Sequence, residues 1–541
     1  YWGLVRKSRG SLGYNERQYE TMEGTLSFRH KFWNIIDVNA VAGIGRYLDK
    51  GTGMTVSYQN ANDMINDSNL AAADGPFSPT SYKYENEKRS QFLRASFDIL
   101  DRYVLTATLR RDGTDKFFPD KKYSLFPSAS VAWKLSNESF MQNLSWLNLL
   151  KVRASYGMTG SDNLGTSLYG IVGISREDIK FSNSSVTYVP YALQSANYSD
   201  VTWQKTTMKN IGLDFSILKD RIWGSLDVFR NDVTNLLDTA PTSLLNMYGY
   251  RPVNGGHYKR TGVELSLNTL NIQTPNFKWT SSLALSHYNA CWIERMPNFD
   301  YKKYQKRENE PMNAYYYYKM VGVINEDRSN MPDSQRSLPR EAQLPGYPII
   351  DDRNGDGKID INDIYMDNTL PKVYYGFGNT FAYKKFDLDI YMYGQLGVKK
   401  FNSTHSSNCS AANLASGILA ANPTDYAYAI WNSQTNPNGE VPGIAYKSVT
   451  LPENAPINAF WEKASFLRVR NITLGYNWDA RKLAFLKGNV QNIRLFVDFQ
   501  NPFTLTKFEG DDPEITTAAG NLGHGQYPQL RVYSFGAKIS F

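Results

Sequence analysis

The stretch Phe277-Lys-Trp-Thr-Ser-Ser-Leu-Ala-Leu-Ser-His-Tyr288 decides the fold. Phe277, Trp279, Leu283 and Leu285 fall on one side of a two-residue repeat, and Lys278, Thr280, Ser282 and Ser286 on the other. A period of two sustained this long predicts a half-buried strand, not a helix. The last strand repeats it: Tyr533, Phe535, Ala537, Ile539 and Phe541 alternate with Ser534, Gly536, Lys538 and Ser540. Near the start, Leu26, Phe28, His30 and Phe32 oppose Thr25, Ser27, Arg29 and Lys31.

Length separates soluble from membrane strands. Many of these runs last about 10 residues or more, against about 5–6 for an average soluble strand. Their apolar faces end in Tyr, Trp or Phe, and their polar faces carry charge, which suits a watery lumen. The fold class is therefore all-β, a transmembrane antiparallel β-barrel. It is preferred over a sandwich, and over a propeller, for which no repeat of about 40–50 residues is present.

Composition agrees. Of 541 residues 14% are aromatic, and 37 Tyr outnumber 27 Phe; Tyr suits a surface apolar on one side and wet on the other. No run of about 18 apolar residues exists, which excludes a transmembrane helix but not membrane strands. At about 150 residues per domain the length suggests three or four domains, and large barrels break that rule. A hydrophobic content of 41% argues against disorder. The net charge of +7 is mild and no basic tract suits nucleic acid. Cys291 and Cys409 form neither a disulfide framework nor a metal pattern. Two free thiols are expected, with a bridge between extracellular loops as the alternative. The chain opens at Tyr1 without Met or an apolar leader and reads as mature or truncated.

Connections alternate in length. Short ones lie near residues 33–37, 100–103, 218–221, 270–277 and 383–387; long ones near 49–88, 160–200, 290–371, 402–463 and 507–527. Short turns face the periplasm and long loops the exterior, so the strand ending at Phe541 runs inward. Counting back gives about 15 strands, the first also running inward. Residues 314–323 look strand-like but must lie within a long loop to keep this parity. An odd count cannot close a bacterial barrel. The reading is the C-terminal portion of a larger barrel, spanning 1–541.

The sharpest local motif is Asp352-x-Asn354-x-Asp356-Gly357-x-Ile359-Asp360-x-x-Asp363, an EF-hand-type calcium loop within an insertion at 345–371. Oxygen side chains occupy loop positions 1, 3, 5, 9 and 12, and the Lys358 carbonyl stands at position 7. Asp363 replaces the commoner Glu, shortening bidentate reach. The plain alternative is an Asp/Asn/Gly-rich turn without metal. The five histidines are scattered, Asp511-Asp512 lie in a loop, and no phosphate-binding glycine loop is present. Enzymatic activity is not expected. Tyr426, Tyr428, Trp431 and Tyr315 to Tyr318 could stack on sugars, but packing between loops or against a lid protein is the stronger expectation for each. Arg110, Lys151, Arg153, Asp214, Asp389, Arg494 and Asp498 share the polar face, expected as a solvated wall with mutual ion pairs. Leu467 and Val469 are odd-numbered, whereas Ile472, Leu474 and Tyr476 are even, so one extra residue near Arg470-Asn471 predicts a β-bulge.

Several blocks resemble the SusC/RagA family of TonB-dependent outer-membrane transporters of Bacteroidetes-type, Gram-negative bacteria. They are Arg102 to Thr114, with Phe126-Pro127, Trp133, Asn137-Glu138 and Leu150 to Gly157; Trp203-Gln-Lys-Thr-Thr207 with Asn210-Ile-Gly-Leu-Asp214; Gly262-Val-Glu-Leu265; Pro345-Gly346 leading into Asp352 to Gly357; Ala464 to Tyr476; and Gly510-Asp-Asp-Pro-Glu514 with Tyr527-Pro528 and Phe541. Gln204 departs from the family's usual Glu. The resemblance implies an N-terminal plug and a barrel of about 22 strands. The plug and the first strands would then lie outside this sequence. It further implies import of a nutrient, oligosaccharides first and peptides second, powered by the TonB complex. A SusD-like surface lipoprotein would act as lid, and outer-membrane lipids would surround the wall. A surface binding or adhesion barrel and a soluble calcium-stabilised β-protein are the alternatives.

Overall fold

The computed structural model describes residues 8–61, 76–164, 168, 171–174, 181–183, 186–188, 191–195, 198–242, 250–297, 299–305, 309–402, 405–406, 428–443, 450–479, 490–510, 512–514 and 529–540. Cys409, Tyr426, Asp511 and Phe541 lie outside them. Alternating sequence becomes one wall in which each strand pairs with its predecessor and successor. The wall strands are β1 (Ser8–Phe32), β2 (Ile36–Ala61), β3 (Ser78–Ile99), β4 (Tyr103–Thr114), β5 (Tyr123–Lys134) and β6 (Leu147–Ser161). They continue with β7 (Gln204–Ile217), β8 (Ile222–Pro241), β9 (Tyr250–Gln273), β10 (Phe277–Glu294) and β11 (Val373–Tyr383). Last come β12 (Phe386–Leu396), β13 (Phe466–Asp479), β14 (Asn492–Gln500) and β15 (Val532–Ser540). These fifteen agree with the count from parity. A short piece, Thr504–Thr506, also pairs with β13.

Register shows why the two faces differ. Tyr103, Trp133, Val152, Leu213, Leu226, Leu265 and Leu285 are directly opposed from strand to strand. The row beside it holds Ala132, Arg153, Gly212, Asp227, Glu264 and Ser286. Because side chains alternate, the first row faces outward and the second faces the lumen. Outward apolar residues stay uncovered by protein: Leu26 is 76% and Ile211 65% exposed. A continuous apolar exterior of this extent is the lipid-facing surface of a membrane barrel.

The short connections are tight. Trp33 and Asn34, Leu100 and Asp101, and Leu218, Lys219 and Asp220 adopt φ between 50° and 59°. Left-handed residues match the right-handed strand twist at a hairpin, although a non-glycine residue there costs about 1–2 kcal/mol. The long connections differ in one respect from the sequence expectation. The loop expected at 49–88 is strand up to Ala61 and again from Ser78, and β1, β2 and β3 reach 25, 26 and 22 residues. Above the apolar band both faces meet water, so the alternation fades from the sequence while backbone pairing continues.

Ala314–Tyr318 pairs with Ile364–Asn368, and Met320–Val323 with Pro348–Ile350, both off the wall. The strand-like segment thus lies inside a long connection, as parity required. The expected bulge is present: Tyr391 faces Asn471 and Met392 faces Val469, leaving Arg470 unopposed. Beyond the wall, connections 290–371 and 402–463 share one core built on Tyr304, Tyr318, Ile324, Tyr347, Ile350, Ile364 and Phe460. Cys291 is a free thiol.

Candidate functional site

On the lumen face of the wall many charges are paired with one another. Lys151 lies 2.7 Å from Asp214, and Arg153 lies 3.2 Å from Asp214 and 2.7 Å from Asp227. Asn210 donates to Asp227 at 3.0 Å and accepts from Arg153 at 3.2 Å. Arg153 reaches Asp227 by crossing the intervening strand at Gly212, where a Cβ would come within 2.5 Å of the guanidinium carbon. Arg494 pairs with Asp387 across Gly475, where a Cβ would lie 2.5 Å from the carboxylate. Arg110 holds Asp112 at 2.8 Å. Asp389 accepts from Thr380 at 2.6 Å, and Asp498 from Thr473 at 2.5 Å. The seven lumen residues singled out from sequence are thus placed in an ion-paired, hydrogen-bonded wall. A cavity of about 580 Å³ opens on this face beside Ser128, Ser130, Asn231 and Arg260.

At the long-loop end, Trp203 anchors a second cluster. Its indole donates to the Lys122 carbonyl at 3.1 Å and packs edge-on against Phe117 and Phe126. Gln204, the departure from the family pattern, accepts from the Leu237 amide at 3.2 Å through its side-chain oxygen. A Glu carboxylate would serve that amide equally, which explains why Gln is tolerated.

The Asp352–Asp363 motif forms a closed turn. Asp352 accepts from the Gly355 and Gly357 amides at 2.8 and 2.9 Å. Asn354 accepts from the Asp356 amide, and Asp356 from the Lys358 amide at 3.0 Å. Asp360 and Asp363 cap a short 3-10 turn reciprocally, and Asp363, fully buried, also takes the Arg353 amide at 2.9 Å. Gly355 and Gly357 sit at φ 71° and 79°, the left-handed region a sharp turn needs. Tyr318 ties the turn to the shared loop core by donating to the Asp360 carbonyl at 3.0 Å. The carboxylates are aimed at backbone N–H groups. Among the described residues, a different trio, His405, Glu462 and Glu509, gathers its ligating atoms within 4.8 Å.

That trio is invisible in sequence because His405 and Glu462 stand at opposite ends of connection 402–463 and Glu509 comes from the next long connection. His405 Nδ1 lies 2.8 Å from Glu462, whose other oxygen accepts from the Glu509 amide at 3.1 Å. Burial alone would raise the Glu462 carboxyl; His405, the Glu509 amide and Asn402 outweigh it and hold it below the ordinary range. The tyrosine run packs rather than presents itself. Tyr316, Tyr317 and Tyr318 are buried, and Tyr315 lies 3.9 Å from the Trp461 ring. Tyr428 stays exposed.

Two sequence blocks that lie far apart prove to be one structure. Arg468, 2% exposed, reaches Asp512 at 2.7 Å and also pairs with Glu514. Its Nε donates to Thr504 at 2.9 Å, and Tyr393 donates to Glu514 at 2.6 Å. Lys400 donates to the Pro513 carbonyl. Burial would raise Asp512; the Glu514 amide, Arg468 and the Gln529 amide overcome it and leave the carboxyl depressed. Burial instead pushes the Lys400 amine down.

The family profile "TonB dependent receptor-like, beta-barrel" matches residues 3–501. TonB-dependent receptor P3 of Formosa agariphila is 28% identical over 504 residues, covering 87% of this chain and 47% of that protein. TonB-dependent receptor SusC of Bacteroides thetaiotaomicron is 27% identical over 474 residues, covering 85% and 44%. The chain spans about half the length of these curated relatives. Among solved structures, that of the RagAB peptide transporter superposes with a TM-score of 0.76 at 18% identity, covering 98% of this chain and 56% of that one, a likeness of fold. Alternating strands, a lumen lined with paired charges and the family match agree: this chain belongs to the TonB-dependent receptor-like β-barrels of the outer membrane.

Proposed function

We propose that the protein of which this wall is part imports a nutrient across the outer membrane, oligosaccharides first, with a SusD-like lipoprotein lid and TonB supplying the energy. The observation that carries the reading is a polar lumen, with many of its charges ion-paired, beneath long connections that share a packed core. Charges held in pairs offer little net attraction to a charged cargo, which favours a neutral polar solute such as a sugar. A peptide cargo is the second reading, favoured by the fold likeness to a peptide transporter. The test is binding and uptake by the full-length protein with its lid lipoprotein, screened over neutral oligosaccharides and peptides. Uptake of peptides alone would reverse the order, and uptake of neither would leave a surface binding barrel.

The same proposal assigns calcium to Asp352, Asn354, Asp356, the Lys358 carbonyl, Asp360 and Asp363. Support comes from the donor set: all are hard oxygens, and each carboxylate oxygen already engaged by one N–H keeps a second lone pair. Calcium would order this turn and, through Tyr318, the shared loop core. The expected outcome is that chelator raises proteolytic cleavage within 345–371 in the wild type but not in Asp356→Ala/Asp360→Ala, with the barrel still folded. Equal cleavage with and without calcium would leave a plain turn.

A further inference from the structure

On the outer face of β1 to β5, rows of opposed residues can be followed upward from the short turns. The first row is Phe32, Ile36, Ile99, Tyr103 and Trp133. Higher up come Leu26, Ala42, Leu93, Leu109 and Pro127, all apolar. In the next outward row the character changes abruptly. Ile44 is joined by Gln91 and Arg111, and the next row sets Arg46 directly opposite Arg89.

The height of this change has a physical meaning. A strand rising about 3.3 Å per residue at a tilt of about 40° climbs about 2.5 Å per residue along the membrane normal. Arg46, Arg89 and Arg111 stand eight to ten residues above the strand ends Ile36, Ile99 and Tyr103. That is about 20–25 Å, the top of an apolar band about 25 Å tall. The three guanidinium groups therefore lie where the outer leaflet's headgroups begin, on the side that faces lipid.

Their mutual arrangement is unfavourable without an anion. Like charges directly opposite one another destabilise a sheet pair. Glu87 answers for two of them, 2.7 Å from both Arg46 and Arg89. Arg111 lies over Tyr123, 4.3 Å from the ring centroid, and has no carboxylate partner among the described residues. Glu23, at the margin, is taken by the Tyr47 hydroxyl at 2.5 Å. Three arginines and Glu23 thus line a cavity of about 590 Å³ whose floor includes Met22 and Ile44, both 65% exposed, and Glu87 pairs with two of the arginines from just outside it, so the cations outnumber the acids three to two.

We infer that this cavity binds a phosphate-bearing lipid of the outer leaflet. The phosphate sits among Arg46, Arg89 and Arg111, and the acyl chains descend over Ile44, Leu93, Leu109 and Leu26. Guanidinium forks suit phosphate oxygens, and the apolar ladder beneath continues without a break into the band. The site is on the wall's exterior, so it stands apart from cargo and lid.

The test uses the full-length protein in dodecyl maltoside micelles containing equal dioleoyl phosphatidic acid and dioleoyl phosphatidylcholine, with retained lipid read by native mass spectrometry. Wild type should retain phosphatidic acid with about tenfold preference, as expected for a few arginines near an anionic surface. Arg46→Ala/Arg89→Ala/Arg111→Ala should erase the preference while heat-modifiable migration confirms a folded barrel. Glu87→Gln removes the competing carboxylate and should strengthen it, a gain that misfolding cannot mimic. Equal retention of both lipids by wild type, or unchanged preference in the triple variant, would overturn the site. Loss of the preference on adding millimolar inorganic phosphate would assign it to free anions and overturn the lipid.

Discussion

Gly212 and Gly475 show what single residues contribute to the lumen. Each lies between the members of an ion pair that must pass over its strand, and a methyl group would meet the charged ends at 2.5 Å. Gly212→Ala should therefore push Arg153 off Asp227 while leaving Lys151 with Asp214. Arg153 and Asp227 are 32% and 16% exposed, so water screens the pair and the loss is about 0.5–1 kcal/mol. Chemical denaturation of Gly212→Ala, Asp227→Asn and the double variant checks this. The two losses should be less than additive because both remove one contact. Fully additive losses would detach the glycine from the pair. The charged positions on the lumen face were legible from alternation alone. Which partner each would choose was not, because Arg153, Asp214 and Asp227 meet only through register between three strands. Nothing local in Asn210-Ile-Gly-Leu-Asp214 tells the reader that its glycine makes room for a guanidinium.

Strands carry the clearest signal and the clearest test. Leu283 faces lipid in the row with Leu267, and Ser282 faces the lumen in the row with Asn268. Leu283→Arg or Leu109→Arg should cost roughly 2–4 kcal/mol near the midplane, and Ser282→Arg or Thr108→Arg much less. Equal costs on both faces, measured by reversible unfolding in lipid vesicles, would contradict the outward assignment. The bulge at Arg470 was legible as a phase slip between Val469 and Ile472, since one extra residue flips every later side chain. The upper parts of β1 to β3 were not legible, because pairing above the membrane needs no apolar face. The left-handed turns at Leu100-Asp101 and Leu218-Lys219-Asp220 were placed by length, yet their conformation was hidden by residues that do not favour it.

At the scale of the molecule, the platform is held to the wall by buried charge. Arg468 on β13 and Asp512 in the last long connection are 2% and 5% exposed at their side chains. Removing one partner strands the other, so Asp512→Asn should cost about 3 kcal/mol locally, Glu514 retaining part of the contact. Because the folded Asp512 carboxyl is depressed, its contribution is complete above the ordinary Asp value of about 3.9 and disappears as pH falls through the lower folded value. Hydrogen exchange of the 504–514 amides, taken relative to their intrinsic rates at each pH, should therefore stay slow from neutral pH to about 4 and accelerate below it. In Asp512→Asn it should be fast throughout, and fast exchange in wild type at neutral pH would refute the anchor. The blocks containing Arg468 and Asp512 were both visible in sequence as family motifs. Their union was not, because about forty residues separate them and only the fold closes the gap.

Among the described residues the wall is a meander in which the backbone of each strand pairs with its chain neighbours, and this limits how such a molecule can change over generations. Gaining or losing one strand would turn every later long connection toward the wrong side of the membrane. A hairpin, two strands with one short turn, preserves sidedness, lumen and lipid face together. The heritable unit of growth in this architecture is therefore the pair: duplication of a hairpin widens the wall, while the long connections above it vary freely without disturbing any register below.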